Sequence, residues 1–165
     1  MSALSSIHVL LADDNPNMRA IVAAMLKSVG VGRLTEAEDG AGALEVLRRE
    51  AIDIAIVDFR MKPMDGVAFT RAVRNDADSP NPYLPVIMMT GHSERSRVTE
   101  ARDAGVTEFV AKPVRAQTLL TRLEAVILRP RPFVRSPDYF GPDRRRKRAD
   151  AYAGPFRRAD DATVD

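Results

Sequence analysis

The sequence contains no cysteine. That excludes a disulfide framework, a thiol nucleophile and any cysteine-held zinc or iron–sulfur centre. Its two histidines, His8 and His92, are too few and too far apart to make a metal pair, and His8 lies inside an apolar run where it reads as structural. No apolar run approaches the roughly 20 residues of a membrane span, and the polar start Met1-Ser2-Ala3 lacks the basic-then-apolar layout of a secretory leader. A soluble cytoplasmic protein is the expectation.

What is present divides in two. The 165 residues, 45% hydrophobic and 29% charged, give room for one domain with an appendage. The formal charge of +2 hides an asymmetry: residues 1–128 carry 15 Lys and Arg against 17 Asp and Glu, whereas residues 129–165 carry 10 against 6. Two regions with different physical roles follow, with the boundary at residue 128.

In the first region, Ile7-His8-Val9-Leu10-Leu11-Ala12, Ile54-Ala55-Ile56-Val57 and Val86-Ile87-Met88-Met89 are nearly continuous apolar runs, the pattern of strands covered on both faces. Met18, Ile21, Val22, Met25, Leu26 and Val29 form a helical stripe that Gly30 ends, and Leu119, Leu120, Leu123, Val126 and Ile127 form another. With the weaker segments, the pattern predicts strands over 7–12, 33–37, 53–58, 85–90 and 107–111. Helices are predicted over 16–29, 40–50, 66–75, 94–104 and 115–128. Strict alternation means a doubly wound α/β fold with parallel strands and helices on both faces. The fourth helix has only Val98, Ala101 and Ala104 as an apolar side, so it is expected to be the least firmly docked.

Ligands in such folds sit beyond the carboxyl ends of the strands. There the sequence places Asp13-Asp14, Asp58, Thr90 and Lys112-Pro113. Three carboxylates crowded together need protons or a cation, and an all-oxygen site suits Mg²⁺. Asp58 can then act as nucleophile toward a phosphoryl group, with Lys112 and the Thr90 hydroxyl stabilising its oxygens. A helix cap is the alternative role for Asp13-Asp14, and a cap is the preferred role for Asp65 before Gly66.

Four segments carry a resemblance: Leu11-Ala12-Asp13-Asp14-Asn15-Pro16-Asn17-Met18-Arg19, Asp58-Phe59-Arg60-Met61-Lys62-Pro63-Met64-Asp65-Gly66, Met89-Thr90-Gly91 and Phe109-Val110-Ala111-Lys112-Pro113. Together they resemble the response-regulator receiver domain of two-component signalling, the CheY-like fold. The resemblance implies a flavodoxin-like sheet in the order 2-1-3-4-5. It makes Asp58 the phosphoacceptor, with Mg²⁺ held by Asp14, Asp13 (mainly through water), Asp58 and the Arg60 backbone carbonyl. It makes Thr90 and Phe109 a switch pair and Lys112, before a cis Pro113, a phosphoryl contact. Arg60 and His92 fall at positions that modulate the lifetime of the phosphorylated state in such receivers. Lys62 stands where the family commonly has proline. Phosphohydrolases of the haloacid dehalogenase type share the strand-end Asp, Mg²⁺ and Lys, but they need a second Asp where Arg60 stands. A signalling phosphoacceptor, not a turnover enzyme, is therefore expected, one that assists its own phosphorylation and dephosphorylation.

The resemblance implies a stand-alone regulator, a sensor histidine kinase or histidine phosphotransfer protein as donor, an unidentified downstream protein as target, and a monomer or phosphorylation-dependent homodimer. A phosphate sink is the alternative. Residues 129–165 begin with Arg129-Pro130-Arg131-Pro132, which cannot continue a helix, and show no apolar period; an extended or disordered, irregular tail is expected. Three roles stay open for it. It is a solvated tail; or Phe133, Tyr139, Phe140 and Phe156 dock on the receiver or a partner, with arginines on an acidic patch; or Arg144, Arg145, Arg146, Lys147 and Arg148 make salt-sensitive nucleic-acid contacts without a base-reading element.

Overall fold

Val9, Leu10 and Leu11 lose all contact with solvent, as do Ala55, Ile56, Val57, Ile87, Met88 and Met89, which is what strands covered on both faces require. In a computed structural model, which describes residues 3–144 and 162–164, these runs are the middle strands β1 (His8–Ala12), β3 (Ile54–Asp58) and β4 (Val86–Thr90). β2 (Arg33–Ala37) and β5 (Glu108–Ala111) flank them, giving a five-stranded parallel sheet in the order β2-β1-β3-β4-β5. Side chains alternate between two core layers. Leu10, Val57 and Met88 join Phe69 on one face, and Val9, Leu11, Ile56 and Met89 join Leu26 and Leu119 on the other.

The helices are α1 (Pro16–Ser28), α2 (Gly40–Arg49), α3 (Gly66–Asn75), α4 (Val98–Ala104) and α5 (Ala116–Leu128). Ile21, expected on the α1 stripe, is left about half exposed at its margin. The fourth helix differs from the expected 94–104. His92–Arg97 form a 3-10 turn and only seven residues continue as α-helix, because Glu94 folds back to accept from the Gly91 amide at 2.9 Å and so fixes a tighter start. Its fully buried residues are two alanines, Ala101 and Ala104. Among the described residues no helix is long and apolar enough to cross a membrane.

After α5 the structure departs from an irregular tail. β6 (Phe133–Ser136) and β7 (Tyr139–Pro142) pair antiparallel around the two-residue turn Pro137-Asp138. Residues 133–142 form a hairpin because Pro-Asp favours a turn and Tyr139 and Phe140 have a surface to bury against. Backbone pairing also brings β8 (Ala162–Val164) to the other edge of β6.

The hairpin lies against the ends of α3 and α4 remote from Asp58. Tyr83, in the loop before β4, forms an aromatic cluster with Phe133 and Phe140, with ring centroids 5.1 and 5.4 Å away. Arg74 of α3 is buried beneath it and among the described residues has no carboxylate partner. It donates to the Gly105 carbonyl at 3.1 and 2.9 Å and to the Pro82 carbonyl at 2.9 Å, and its guanidinium lies 4.9 Å from the Phe133 ring centroid. Burial lowers its pKa to about 10.

Candidate functional site

Local chemistry decides which acids remain available at the sheet edge. Asn15, not an aspartate, caps α1, accepting from the Asn17 and Met18 amides at 3.0 and 3.1 Å. Asp13 uses one oxygen to accept from the Asn15 amide at 2.9 Å, while its buried Oδ2 has no hydrogen-bond partner among the described residues. Asp65 caps α3 through the Ala68 amide at 2.8 Å, as expected. Capping therefore consumes Asn15 and Asp65 and spares Asp14, Asp58 and half of Asp13.

The strand ends bring Asp13, Asp14 and Asp58 together, with one ligand atom from each lying within 4.8 Å of the others. Asp13 and Asp58 are buried and Asp14 is exposed. They line an open cleft of about 340 Å³ with Asn15, Arg60, Lys62 and Lys112. Lys112 Nζ lies 2.5 Å from Asp58 Oδ1. Burial pushes the Asp58 carboxyl up to about 6 against the pull of Lys112, and burial likewise raises Asp13, with Asp14 adding like-charge repulsion. An all-oxygen cluster with excess negative charge and an orphaned buried carboxylate oxygen fits Mg²⁺, whose shell would satisfy that oxygen. The Lys62-Pro63 and Lys112-Pro113 peptide bonds are both cis.

Thr90 closes β4 beside this cleft and is half-buried. Phe109, half-buried on β5, packs against the core layer that contains Met88. Arg60 lines the cleft with a largely exposed side chain, its Nε 3.1 Å from Glu94 Oε2. Sequence reasoning missed Glu94. It is buried, and hydrogen bonds from the Ser93 hydroxyl and the Gly91 amide, with Arg60 nearby, hold its carboxyl below the usual range. The Gly-x-x-Glu spacing after β4 was the available signal. His92 is exposed at the start of the same 3-10 turn. His8 belongs elsewhere: its Nε2 is 2.7 Å from Thr35 Oγ1 on β2 and 3.5 Å from Glu50 at the end of α2, a structural cluster away from the cleft. Of the basic run, Arg144 pairs with Asp103 at 2.7 Å, and Arg145, Arg146, Lys147 and Arg148 lie outside the described residues, as does Phe156.

Comparison with known proteins fits this geometry. Residues 9–124 match the family model described as the response regulator receiver domain. The chain is 37% identical over 121 residues to the chemotaxis protein CheY of Pseudomonas aeruginosa, covering 73% of this chain and 96% of that protein. Among solved structures it is similar to the chemotaxis protein CheY4 of Vibrio cholerae, with a TM-score of 0.66, 31% identity, and 73% and 98% of the two chains covered. It is also similar to the receiver domain of a sensor histidine kinase from Pseudomonas aeruginosa, which was solved with a magnesium ion coordinated in its active-site cleft. There the TM-score is 0.64 at 29% identity, covering 72% of this chain and 94% of that one.

Proposed function

The chain belongs to the response regulator receiver family, and from that premise we propose that it takes a phosphoryl group from a phosphohistidine donor onto Asp58 and switches a protein-contact face. Receiver domains are phosphoacceptor signalling domains, not classical enzymes; they interact with histidine kinases or histidine phosphotransfer proteins and bind Mg²⁺ at their acidic site. The observation that carries the reading is the setting of Asp58: a buried carboxylate with Lys112 at 2.5 Å on one side and Asp13 and Asp14 on the other.

In this reading residues 1–128 are the receiver and residues 129–165 an appendage. An Asp58 oxygen attacks phosphorus, the P–N bond to the donor imidazole breaks, and the imidazole leaves with the electron pair and takes up a proton. Asp14, Asp13, Asp58 and the Arg60 backbone carbonyl would hold Mg²⁺, which when bound supplies positive charge against the phosphoryl oxygens. Lys112, already at Asp58, contacts one phosphoryl oxygen, and the Thr90 hydroxyl moves to another. The chain in this way assists its own phosphorylation and dephosphorylation. Phe109 follows Thr90 inward, and the change reaches the face made by α4, β5 and α5. Arg60 and His92 flank the group and set its lifetime.

Incubating the full chain with a small phosphoryl donor such as phosphoramidate, with Mg²⁺ or with chelator, and measuring intact mass tests this. The expected result is the gain of one phosphoryl group, absent with chelator and in Asp58→Asn. No gain, or a gain retained in Asp58→Asn, overturns the reading.

A further inference from the structure

Residues 129–144 follow the span matched by the receiver family, yet they are built into the domain. Phe133 and Phe140 pack tilted against one another at 5.5 Å and against Tyr83. Ion pairs fasten both ends of the segment: Arg131 to Glu108 at 3.0 Å, where β5 begins, and Arg144 to Asp103 at 2.7 Å, on α4. Gly141 seats against Gly105 so closely that a Cβ there would lie 3.1 Å from the Gly105 Cα. Gly105, at φ 110°, is the left-handed residue that ends α4, and Arg74 grips its carbonyl from the α3 side. The far end of α4 is thus clasped between α3 and the hairpin.

The near end is clasped by the site. Glu94 binds Arg60, two residues beyond Asp58, and Arg97 lies with its guanidinium 4.8 Å from the Phe59 ring centroid. Between the two clasps, residues 92–104 form one short continuous helical segment, and α4 anchors through the small side chains of Ala101 and Ala104. A segment so thinly packed moves as a unit when either clasp changes.

We propose that Arg74, Tyr83, Asp103, Gly105 and Glu108 form a docking face whose occupant is this chain's own 131–144 hairpin, and that seating of the hairpin is coupled through residues 92–104 to the state of Asp58. The proposal rests on Asp58 being the phosphoacceptor. A phosphoryl dianion on Asp58 competes with the single carboxylate of Glu94 for the Arg60 guanidinium. Drawing Arg60 away releases the start of the 92–104 segment, and its shift displaces Asp103 and Gly105 beneath the hairpin. The seated hairpin therefore favours the Arg60–Glu94 arrangement. By linkage, loosening the hairpin strengthens binding of a phosphoryl mimic by the same factor by which the mimic loosens the hairpin, about fivefold or more for an ordinary coupling between sites.

The test uses the full chain with Mg²⁺ and beryllium fluoride as the mimic. Fluorine NMR reads bound fluoroberyllate, and hydrogen exchange reads residues 88–112 and 131–142. Two variants loosen the dock without touching the acidic cleft: the double change Phe133→Ala with Phe140→Ala, and the charge reversal Asp103→Lys, which keeps the aromatic seat. The expected result is hairpin exchange in the unaltered chain accelerated about fivefold or more by fluoroberyllate, and both variants binding it tighter by a like factor. If residues 88–112 respond while hairpin exchange does not, and both variants bind with unaltered or weaker affinity, the coupling is overturned and the Asp58 reading stands. If the unaltered chain shows no bound fluoroberyllate, like Asp58→Asn, the Asp58 reading falls and the coupling with it.

Discussion

In the absence of a cation, Asp58 carries a cost that appears in stability. Burial raises its carboxyl from 3.8 to about 6, and each pKa unit corresponds to about 1.36 kcal/mol. The folded state holds this proton more tightly than the unfolded chain. Below about pH 4 both states are protonated and no penalty exists. As pH rises the unfolded chain ionises first, so stability falls, and above about pH 6 the full penalty of about 3 kcal/mol is in force. Asp58→Asn removes the titration. Its unfolding free energy minus that of the unaltered chain should therefore grow by about 3 kcal/mol between roughly pH 3.5 and 7.5, or roughly 10 °C in Tm for a domain of this size. The midpoint belongs to the whole carboxylate cluster, because Asp13 is raised in the same cleft. Urea titration followed by far-ultraviolet circular dichroism suits a chain with no tryptophan. Saturating Mg²⁺ should shrink the difference at neutral pH, since an ion held by the ionised folded cluster would offset the penalty. A difference that does not change with pH refutes the reasoning.

Three further outcomes follow from named contacts. Lys112→Met removes the cation 2.5 Å from Asp58, so the Asp58 carboxyl rises further and fluoroberyllate binding weakens, as a fluorine NMR titration would read. Arg74→Ala leaves the Gly105 and Pro82 carbonyls without their donor and should cost about 3 kcal/mol in a urea titration, whereas Arg74→Met, which also removes the burial cost of the charge, should cost about 1 kcal/mol. Glu94→Gln weakens the hold on Arg60 and on the Gly91 amide, so amide exchange over residues 91–97 should quicken while that of β1 and β3 stays unchanged.

The sheet was legible in the sequence because its central strands are buried on both faces, and an unbroken apolar run too short for a buried helix is the direct signature of such a strand. The acids were legible because each falls at the end of a run. Asn15 shows the limit: the cap could be assigned to either aspartate from composition, and hydrogen-bond geometry assigns it to the residue between them and Pro16. The hairpin was not legible. Its strands are four residues long, β7 is buried along its whole length instead of alternating, and Gly141 and Pro142 carry no strand signal. The turn pair Pro137-Asp138 between two aromatic-bearing segments was the one local cue. The surface receiving it was equally hidden, because Arg74 at the end of a helix reads as a solvent-facing charge until something covers it.

The path of the chain beyond α5 also bears on how the protein survives in a crowded solution. β5 is one edge of the five-stranded sheet, and an unguarded edge offers a template for pairing with a neighbouring molecule. On leaving α5, the chain places Arg131 on Glu108, the first residue of that edge strand, and then folds into a hairpin of its own. That ion pair ties the strap to the residue where β5 is entered. A chain cut at residue 128 should show its loss as faster aggregation on storage even where its equilibrium stability is little altered.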